Sequence, residues 1–507
     1  MAPKKELTKG ERTFFELVHQ AGVVNPFSEQ RVTLDTEISG IFPQATQKEQ
    51  IEKAVAEVNR RIEGLKADGR ARLDLFSGDD RRLARAAFLF EFFYRFRKHF
   101  DQHIGDQMAA GETPIKVTFS NKALTLLRGR GFSEEDSLRY FALGYQLRRA
   151  FFFIGRTLVG GSETMKRLRR TLWQNVFTHN IELYDRYLVN RMEDFSTLLL
   201  GETGTGKGTA AMAIGRSGYI PFNERKKTFL ESFNRTFVSL NLSQFPETLI
   251  ESELFGHKKG AFTGAVKDYR GVFERCSPHG AILLDEIGEV SHQLQIKLLH
   301  VLQERAFCPV GSHEPARFQG RVIAATNRSI EEIRDKGIFR DDFYYRLTSD
   351  VIEVPPLRQR IQEDPKELDD LLAHTLRRMV GQPSPELEDM VREVIAGQLG
   401  FDYPWPGNVR ELEQCVRRVI LSRHYEGRGM ARQTDLAATL ARRLTDGDID
   451  AQHLVSGYCR LLYQRYGTFE EVARHTRLDR RTVKKYIQEG EAEEQAGEEP
   501  SGEEDSP

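Results

Sequence analysis

The sequence lacks the features of a membrane-spanning or secreted protein. No run of apolar residues approaches the ~20 that a helix needs to cross a bilayer. Even the most apolar stretch, residues 86–96, is interrupted by Glu91 and Arg95. The first residues contain no apolar core followed by a small-residue cleavage site, so we recognise no secretory signal. We therefore expect a cytoplasmic protein with no membrane partner.

Cysteine is scarce as well. The 507 residues include four cysteines, and no two of them stand in a CxxC pair. This spacing argues against a disulfide framework and against a zinc module, and it favours a reducing compartment. The cysteines are Cys276, Cys308, Cys415 and Cys459.

Basic residues are missing from the end of the chain. Residues 489–507 contain nine acidic residues and no Lys or Arg. A segment so acidic and so poor in apolar residues cannot bury a core, so we predict a disordered tail. The other residues, 74 basic and 66 acidic, carry a net charge of +8. A mildly basic body is compatible with nucleic-acid binding.

The first part of the chain has the hydrophobic pattern of helices. Apolar residues recur at helical spacing in residues 47–65, and residues 81–103 and 133–153 are further helical candidates. We therefore predict that residues 1–157 form a mainly helical domain. We expect this domain to be sensory or regulatory, for a signal that the sequence does not reveal.

The pattern changes at residue 195, where short apolar runs begin to alternate with amphipathic stretches. This alternation is typical of a parallel sheet flanked by helices. We predict an α/β domain over residues 158–424 that ends in a helical lid, a linker over residues 425–448, and an all-helical domain over residues 449–488. The candidate strands are residues 198–200, 237–240, 281–284 and 322–325.

A glycine-rich loop lies between the first candidate strand and a helical stretch. Strand, glycine loop and helix are the setting of a phosphate-binding loop, in which backbone N–H groups and the helix N-terminus face a triphosphate. The lysine of the loop is expected to reach the β and γ oxygens of ATP. Gly208 departs from the motif, which has Ser or Thr there. The predicted ATP-binding residues are Gly201, Glu202, Thr203, Gly204, Thr205, Gly206, Lys207, Gly208 and Thr209.

Two further candidate strands end in polar residues. Asp285 and Glu286 follow one strand, and we predict that Asp285 holds Mg²⁺ through water while Glu286 polarises the attacking water. The amide of Asn327, after another strand, is expected beside the nucleotide. The alternative, a strand that merely ends in a charged turn, is disfavoured downstream of a phosphate loop.

One segment is far more specific than these parts. Residues 253–265 read ELFGHKKGAFTGA, which closely resembles the ELFGH and GAFTGA signatures of AAA+ activators of sigma-54 RNA polymerase, the bacterial enhancer-binding proteins. Residues 280–289 resemble the Walker B region of that family, residues 339–347 its arginine-finger segment and residues 405–412 its sensor II motif. The resemblance spans residues 158–424, about half of the chain. It implies an AAA+ P-loop ATPase fold with a helical lid from about residue 355.

The resemblance also implies how the loop works. Two glycines permit sharp turns, so Phe262 and Thr263 are expected at an exposed tip that contacts sigma-54. Without the resemblance, a phenylalanine packed into a local hairpin would be the preferred interpretation. The predicted sigma-54 contact residues are Gly260, Ala261, Phe262, Thr263, Gly264 and Ala265.

Further roles are implied by the resemblance alone. Asn241 would restrain Glu286 and release it according to the nucleotide state. Arg340 and Arg346 would reach the γ-phosphate of a neighbouring subunit, and Arg410 would contact nucleotide from the lid of its own subunit. These roles imply a homo-oligomer, from a dimer to a hexameric ring. The segments 165–194 and 216–235 are longer than is usual in the family, and at Gly208 the family usually carries Glu.

The end of the chain before the tail has the pattern of a helix-turn-helix. Residues 469–476 and 479–487 form two short amphipathic stretches, and Asp479 is placed to cap the second. The pair resembles the Fis-type DNA reader of the same family, with Arg477 at a turn position that usually carries Gly. A basic helix pair used for packing is the alternative. The predicted DNA-binding residues are Arg480, Arg481, Thr482, Lys484 and Lys485.

These features together predict an ATP-hydrolysing transcription activator. It would bind enhancer-like double-stranded DNA upstream of promoters and remodel the sigma-54 RNA polymerase holoenzyme to drive open-complex formation. Two alternatives remain open: a DNA-bound repressor that binds ATP without turnover, and an AAA+ remodeller of another target.

Overall fold

The computed structural model of the protein describes residues 4–40, 46–189, 191–400, 402–427, 440, 443–445, 447 and 449–487. The predicted tail and most of the predicted linker lie outside these residues. The chain divides into two compact units, Met1–His424 and Tyr425–Pro507. Among the helices of the described residues, none is long and apolar enough to cross a membrane.

The first part of the larger unit is built from helices, and the predicted helices at 47–65, 81–103 and 133–153 are confirmed. Capping boxes fix two of the helix starts, because Thr8 and Thr46 each exchange hydrogen bonds with a glutamate three residues later. The helices are α1 (Lys9–Val23), α2 (Glu29–Ser39), α3 (Gln47–Ala67), α4 (Gly78–Ala110), α5 (Ser120–Gly129) and α6 (Glu134–Thr157).

An aromatic core joins these helices. Phe100 of α4 contacts Phe119 edge-on with ring centroids 5.0 Å apart, and Phe141 of α6 with centroids 5.6 Å apart. All three rings are buried. Such rings bury large apolar areas in defined orientations, which explains why a region so rich in phenylalanine folds as one helical layer.

The second part of the larger unit has a five-stranded parallel sheet in the order β4-β5-β8-β1-β9. The candidate strands of the sequence are confirmed as β1, β4, β5 and β8, whereas β9 was not predicted. The small antiparallel pairs β2–β3 and β6–β7 lie outside this sheet. The strands are β1 (Thr197–Leu200), β2 (Phe222–Asn223), β3 (Thr228–Phe229), β4 (Phe237–Asn241), β5 (Ala281–Asp285), β6 (Ala306–Phe307), β7 (Ala316–Arg317), β8 (Arg321–Thr326) and β9 (Asp350–Glu353).

Helices accompany the sheet and continue beyond it, as the α/β pattern predicts. The helices before and between the strands are α7 (Glu163–Phe177), α8 (Ile181–Leu183), α9 (Lys207–Gly215), α10 (Glu247–Phe255), α11 (Val272–Arg275), α12 (His292–Glu304), α13 (Ile330–Asp335) and α14 (Asp341–Leu347). The region predicted as the lid contains α15 (Leu357–Glu363), α16 (Lys366–Val380), α17 (Pro385–Val394) and α18 (Asn408–Ser422).

The smaller unit contains α19 (Ala451–Tyr466), α20 (Phe469–Thr476) and a last helix, α21, over residues 480–487. Its turn passes through Arg477 in the left-handed conformation, at φ +58°, which is costly for a residue with a side chain. The position is therefore one where glycine would be less strained. The buried core of this unit consists of Cys459, Leu462, Val472, Val483 and Ile487.

A buried histidine makes the stability of the helical layer sensitive to acid. The ring of His103 is buried against Tyr145 and Phe229. Burial lowers its pKa from the ordinary 6.5 to about 4. The unfolded chain therefore binds a proton first, so the stability that the neutral ring provides is present above pH 6.5 and is lost as pH falls toward 4.

We expect the advantage of wild type over His103→Leu to shrink by ~2 kcal/mol between about pH 7 and about pH 5. The measurement is urea unfolding at both pH values, followed by far-UV circular dichroism. An advantage that stays constant with pH would contradict a neutral, buried His103.

Candidate functional site

The parallel sheet brings the predicted polar residues to one edge. Asn241 at the end of β4 pairs in register with Asp285 at the end of β5. Leu200, which precedes the glycine loop, pairs with Thr326 at the end of β8. The carboxyl ends of parallel strands are where α/β sheets bind their ligands, and four strands contribute to this edge.

The glycine loop has the geometry that its sequence requires. Gly204 and Gly206 have φ values of +81° and +104°, which residues with side chains rarely adopt. A Cβ at Gly204 would lie 2.2 Å from the carbonyl oxygen of Gly407, so no side chain fits there. The loop therefore turns tightly beneath the lid before α9 begins at Lys207.

The Lys207 ammonium lies inside the loop. It donates to the carbonyl oxygen of Gly201 at 2.7 Å and to that of Glu202 at 3.1 Å. Burial lowers the pKa of Lys207, and the nearby carboxylates of Glu286 and Asp285 oppose this shift. The Lys207 ammonium therefore lies within the loop that is predicted to bind the phosphates of ATP.

The departure at Gly208 has a simple structural setting. No atom lies within 4 Å of the position that a Cβ at residue 208 would occupy, and the residue is exposed. A side chain here would point into open space, so the glycine leaves the packing of α9 unchanged. Thr209, the next residue, is partly buried.

Asp285 and Glu286 lie together at the end of β5. Glu286 has a left-handed backbone, at φ +57°, and its N–H donates to Asp285 Oδ1 at 3.1 Å. Burial raises the pKa of the Glu286 carboxyl, the charge of Asp285 raises it further, and a hydrogen bond from the backbone N–H of Asn327 opposes the shift. A carboxylate with a raised pKa is a better proton acceptor.

The two amides lie on either side of this pair of carboxyls. Asn241 Oδ1 accepts hydrogen bonds from the N–H of Ser243 at 3.0 Å and from its hydroxyl at 2.8 Å. Asn327 Nδ2 donates to Thr203 Oγ1 at 3.5 Å, and so reaches the glycine loop. Asn241 therefore lies next to the catalytic candidates, with its side-chain oxygen bound to Ser243.

The sequence did not single out Asn408, which joins the lid to the phosphate loop. Its Nδ2 donates to Glu202 Oε2 and to the carbonyl oxygen of Thr203, both at 3.1 Å. Its Oδ1 accepts from the N–H of Leu357 at 2.7 Å. The side chain is buried and the backbone is left-handed, at φ +53°. The only signal was its place in residues 405–410, WPGNVR, the start of the sensor II motif. Within that motif, a role was predicted for Arg410 and not for Asn408.

Other contacts of the lid support the same junction. The N–H of Val409 donates to the carbonyl oxygen of Gly204 at 3.1 Å, and Arg358 forms an ion pair with Glu202. Arg410 follows at once and is exposed. Arg410 therefore lies beside the loop, on the predicted lid of the same chain.

Arg340 and Arg346 lie at opposite ends of α14. The Arg340 guanidinium pairs with Asp342 at 2.9 Å, and Arg346 donates to the carbonyl oxygen of Leu302 at 2.9 Å. These bonds tie both arginines to α14 and α12, and not to the phosphate loop of their own chain.

The GAFTGA segment forms a closed turn. The N–H of Gly260 donates to the carbonyl oxygen of Ala265 at 2.8 Å, and both glycines have positive φ, +82° at Gly260 and +104° at Gly264. Thr263 is exposed and Phe262 is 38% exposed, with its ring against that of His257. The large apolar side chain and the hydroxyl are therefore both presented at the surface.

In the smaller unit, Asp479 caps α21 as the sequence predicts. Its Oδ1 accepts from the N–H groups of Arg481 at 2.9 Å and Thr482 at 3.1 Å. The Thr482 hydroxyl donates to the other oxygen of Asp479, and Arg480 pairs with Glu470 of α20. The basic side chains on the surface of α21 are Arg480, Arg481, Lys484 and Lys485.

Comparison with known proteins finds relatives for the central region of the chain. Residues 176–353 match the Sigma-54 interaction domain family. The chain is 45% identical over 223 residues to a Nif-specific regulatory protein of Azotobacter vinelandii, covering 44% of this chain and 39% of that protein. It is 33% identical over 317 residues to the DNA-binding transcriptional regulator NtrC of a Bradyrhizobium strain, covering 60% of each.

The comparisons leave part of these relatives unmatched. This chain spans 39–60% of the length of the two proteins just named. Among solved structures, it is similar to NtrX of Brucella abortus in complex with ATP, with a TM-score of 0.42 at 20% identity, covering 73% of this chain and 79% of that one. The match of residues 176–353 to the Sigma-54 interaction domain and the identity to these regulators confirm the resemblance of the chain to the sigma-54-dependent AAA+ transcriptional activators.

Proposed function

We propose that this chain hydrolyses ATP and uses the cycle to act on sigma-54 RNA polymerase as a DNA-bound transcription activator. The observation that carries the proposal is the combination of two features in the Sigma-54 interaction domain. One is the sheet edge that joins Lys207, Asp285 and Glu286, and the other is the exposed GAFTGA turn. A repressor without turnover would not need the paired carboxylates.

The residues around the loop have distinct roles in hydrolysis. Loop N–H groups and the Lys207 ammonium bind the triphosphate. Asp285 offers the hard carboxylate oxygen that Mg²⁺ prefers, and the ion would neutralise phosphate charge. Glu286, with its raised pKa, accepts a proton from the attacking water. Asn241 and Asn327, at neighbouring strand ends, orient this machinery.

A second copy of the chain completes the site in this proposal. Arg340 and Arg346 lie at the ends of α14 and bind within their own segment. An arginine supplied across an interface to a γ-phosphate contributes about 10³–10⁵ in rate. We therefore propose that the ATPase works as a homo-oligomer, with a hexameric ring as the full assembly, and that Arg410 contacts nucleotide in cis.

The GAFTGA turn and the smaller unit connect this cycle to transcription. The turn would rise and retract with the nucleotide state and press Phe262 and Thr263 against sigma-54. The basic face of α21 would lie in the major groove of double-stranded DNA upstream of the promoter, in the manner of a helix-turn-helix. DNA binding would concentrate the activator near the polymerase.

The first prediction concerns the proton acceptor. Glu286→Gln should lower steady-state ATP turnover by about 10²–10⁴-fold, because general-base catalysis contributes about that much. Nucleotide affinity should change little. The matched control is Glu304→Gln, which removes an exposed carboxylate at the end of α12. Equal turnover in wild type and Glu286→Gln would contradict the assigned role.

A second prediction concerns the partner. Purified chain and sigma-54 should form a complex on native gels with ADP–aluminium fluoride, and Thr263→Ala should abolish it because the hydroxyl lies at the exposed turn. Thr171→Ala removes an exposed hydroxyl from α7 and should leave the complex intact. Measurable ATP turnover without any complex would favour a remodeller of another target.

A third prediction concerns DNA. Lys484→Ala should weaken binding to all duplex sequences and reduce the slope of log K against log salt by about 1, as expected for the loss of one phosphate contact. Arg474→Ala is the control, since this arginine lies on α20 and pairs with Glu471. An unchanged slope for Lys484→Ala would support the packing interpretation of the helix pair.

A further inference from the structure

The helix that carries Lys207 is held at its far end by the N-terminal helices. Gln146 Nε2 of α6 donates to the carbonyl oxygen of Ser217 at 2.9 Å. The Arg149 guanidinium donates to the carbonyl oxygens of Arg216 at 2.7 Å and Gly218 at 2.5 Å. These carbonyls follow α9 directly, so α6 supplies a cap and a positive charge at the negative end of that helix.

The Arg149 side chain is buried at this contact. It is completely buried, with the guanidinium 4.5 Å from the Tyr145 ring centroid and 5.9 Å from that of Phe233. Desolvation lowers its pKa to about 10, so it stays charged at neutral pH. A buried charge is costly unless it is hydrogen-bonded. Both guanidinium NH2 groups of Arg149 donate to carbonyls that follow α9, whereas its buried Nε has no partner among the described residues.

The segment after α9 contacts α6 and also the chain at and just before α5. This is the stretch of residues 216–235 that is longer than is usual in the family, and it contains the hairpin β2–β3. Phe229 of the hairpin stacks on Tyr145 with ring centroids 3.8 Å apart. The N–H of Val117 donates to the carbonyl oxygen of Lys227 at 2.8 Å, and Arg128 pairs with Glu224 at 2.9 Å.

A short helix transmits a displacement from one end to the other. α9 has nine residues and is therefore about 13 Å long. Its buried alanines, Ala210, Ala211 and Ala213, have small side chains, and the helix packs against both the sheet and α6. Close packing leaves little room for α9 to adjust locally, so its position at Arg216 determines its position at Lys207.

We propose that Gln146 and Arg149 are positioning residues of the nucleotide site, which makes α6 a structural part of the ATPase. The inference rests on the proposed function in that the site binds ATP. Signals that move α6 would reach the phosphate loop through α9, with no linker between them. Neither residue touches nucleotide, and both act through the carbonyls that follow α9.

The test is nucleotide affinity in the full chain, measured by titration calorimetry with Mg-ATP and a hydrolysis-deficient Glu286→Gln background. Arg149→Gln should raise the Kd about tenfold, as expected when charged hydrogen bonds that place a binding element are lost. Arg149→Lys, which keeps the charge but not the fork of donors, should give an intermediate Kd. Gln146→Ala provides a second, milder variant if Arg149→Gln does not fold.

The matched control is Arg148→Gln. Arg148 is the neighbouring residue of α6 and is 8% exposed, whereas Arg149 is 0% exposed. Arg148 pairs with Asp101 of α4 instead of with α9. The Arg148→Gln variant should have a lower melting temperature than the parent, while its Kd for Mg-ATP stays within about twofold of the parent value. Arg149→Gln and Gln146→Ala that melt like Arg148→Gln and keep the parent Kd would overturn the proposal. ATP turnover by the wild-type chain tests the proposed function separately. Without turnover, the Kd values of the variants and the parent for Mg-ATP could still be compared.

Discussion

The parallel register of the sheet is the constraint on which the nucleotide site depends. Because β4, β5, β8 and β1 all run in the same direction, the residues that end them meet at one edge. Asn241, Asp285 and Thr326 are far apart in sequence, and only this pairing makes them neighbours. A shift of one residue in any one of these strands would turn the side chains of that strand to the opposite face. The buried apolar residues that determine the register therefore also determine which polar side chains meet at this edge.

Two residues beside the phosphate loop have strained backbones. Glu286 and Asn408 both have left-handed backbones, and such residues cost ~1–3 kcal/mol each unless the surroundings hold them. Glu286 is held by Asp285 and Asn327, and Asn408 by Glu202, Thr203 and Leu357. The phosphate loop is thus enclosed by the sheet on one side and by the lid on the other, and both contacts include a residue that the fold holds under strain.

Much of this could be predicted from the sequence, because the relevant signals are local. Strands β1, β4, β5 and β8 are short apolar runs, and the glycine loop and GAFTGA segment are contiguous motifs. β9 was missed because Asp350-Val351-Ile352-Glu353 has acidic residues at both ends and only a two-residue apolar centre. The domain layout and the roles of the individual site residues remain predictions.

The contacts between distant parts of the chain could not be predicted. Gln146 and Arg149 bond to carbonyls about 70 residues away, and a backbone carbonyl has no sequence signature. Asn408 bonds to the carbonyl oxygen of Thr203, which is 205 residues away. In each case a polar side chain meets backbone atoms of another element, which neither periodicity nor a motif reveals.

We propose that the phosphate loop, α9 and α6 respond to nucleotide as one rigid unit. Amide hydrogen exchange of the full chain, with and without Mg-ADP, tests this most directly. We predict slower exchange in the phosphate loop, in residues 216–218 and in the second half of α6, because binding at one end of a rigid helix should stabilise the other end. Slower exchange confined to the phosphate loop, with α6 and residues 216–218 unchanged, would contradict the account.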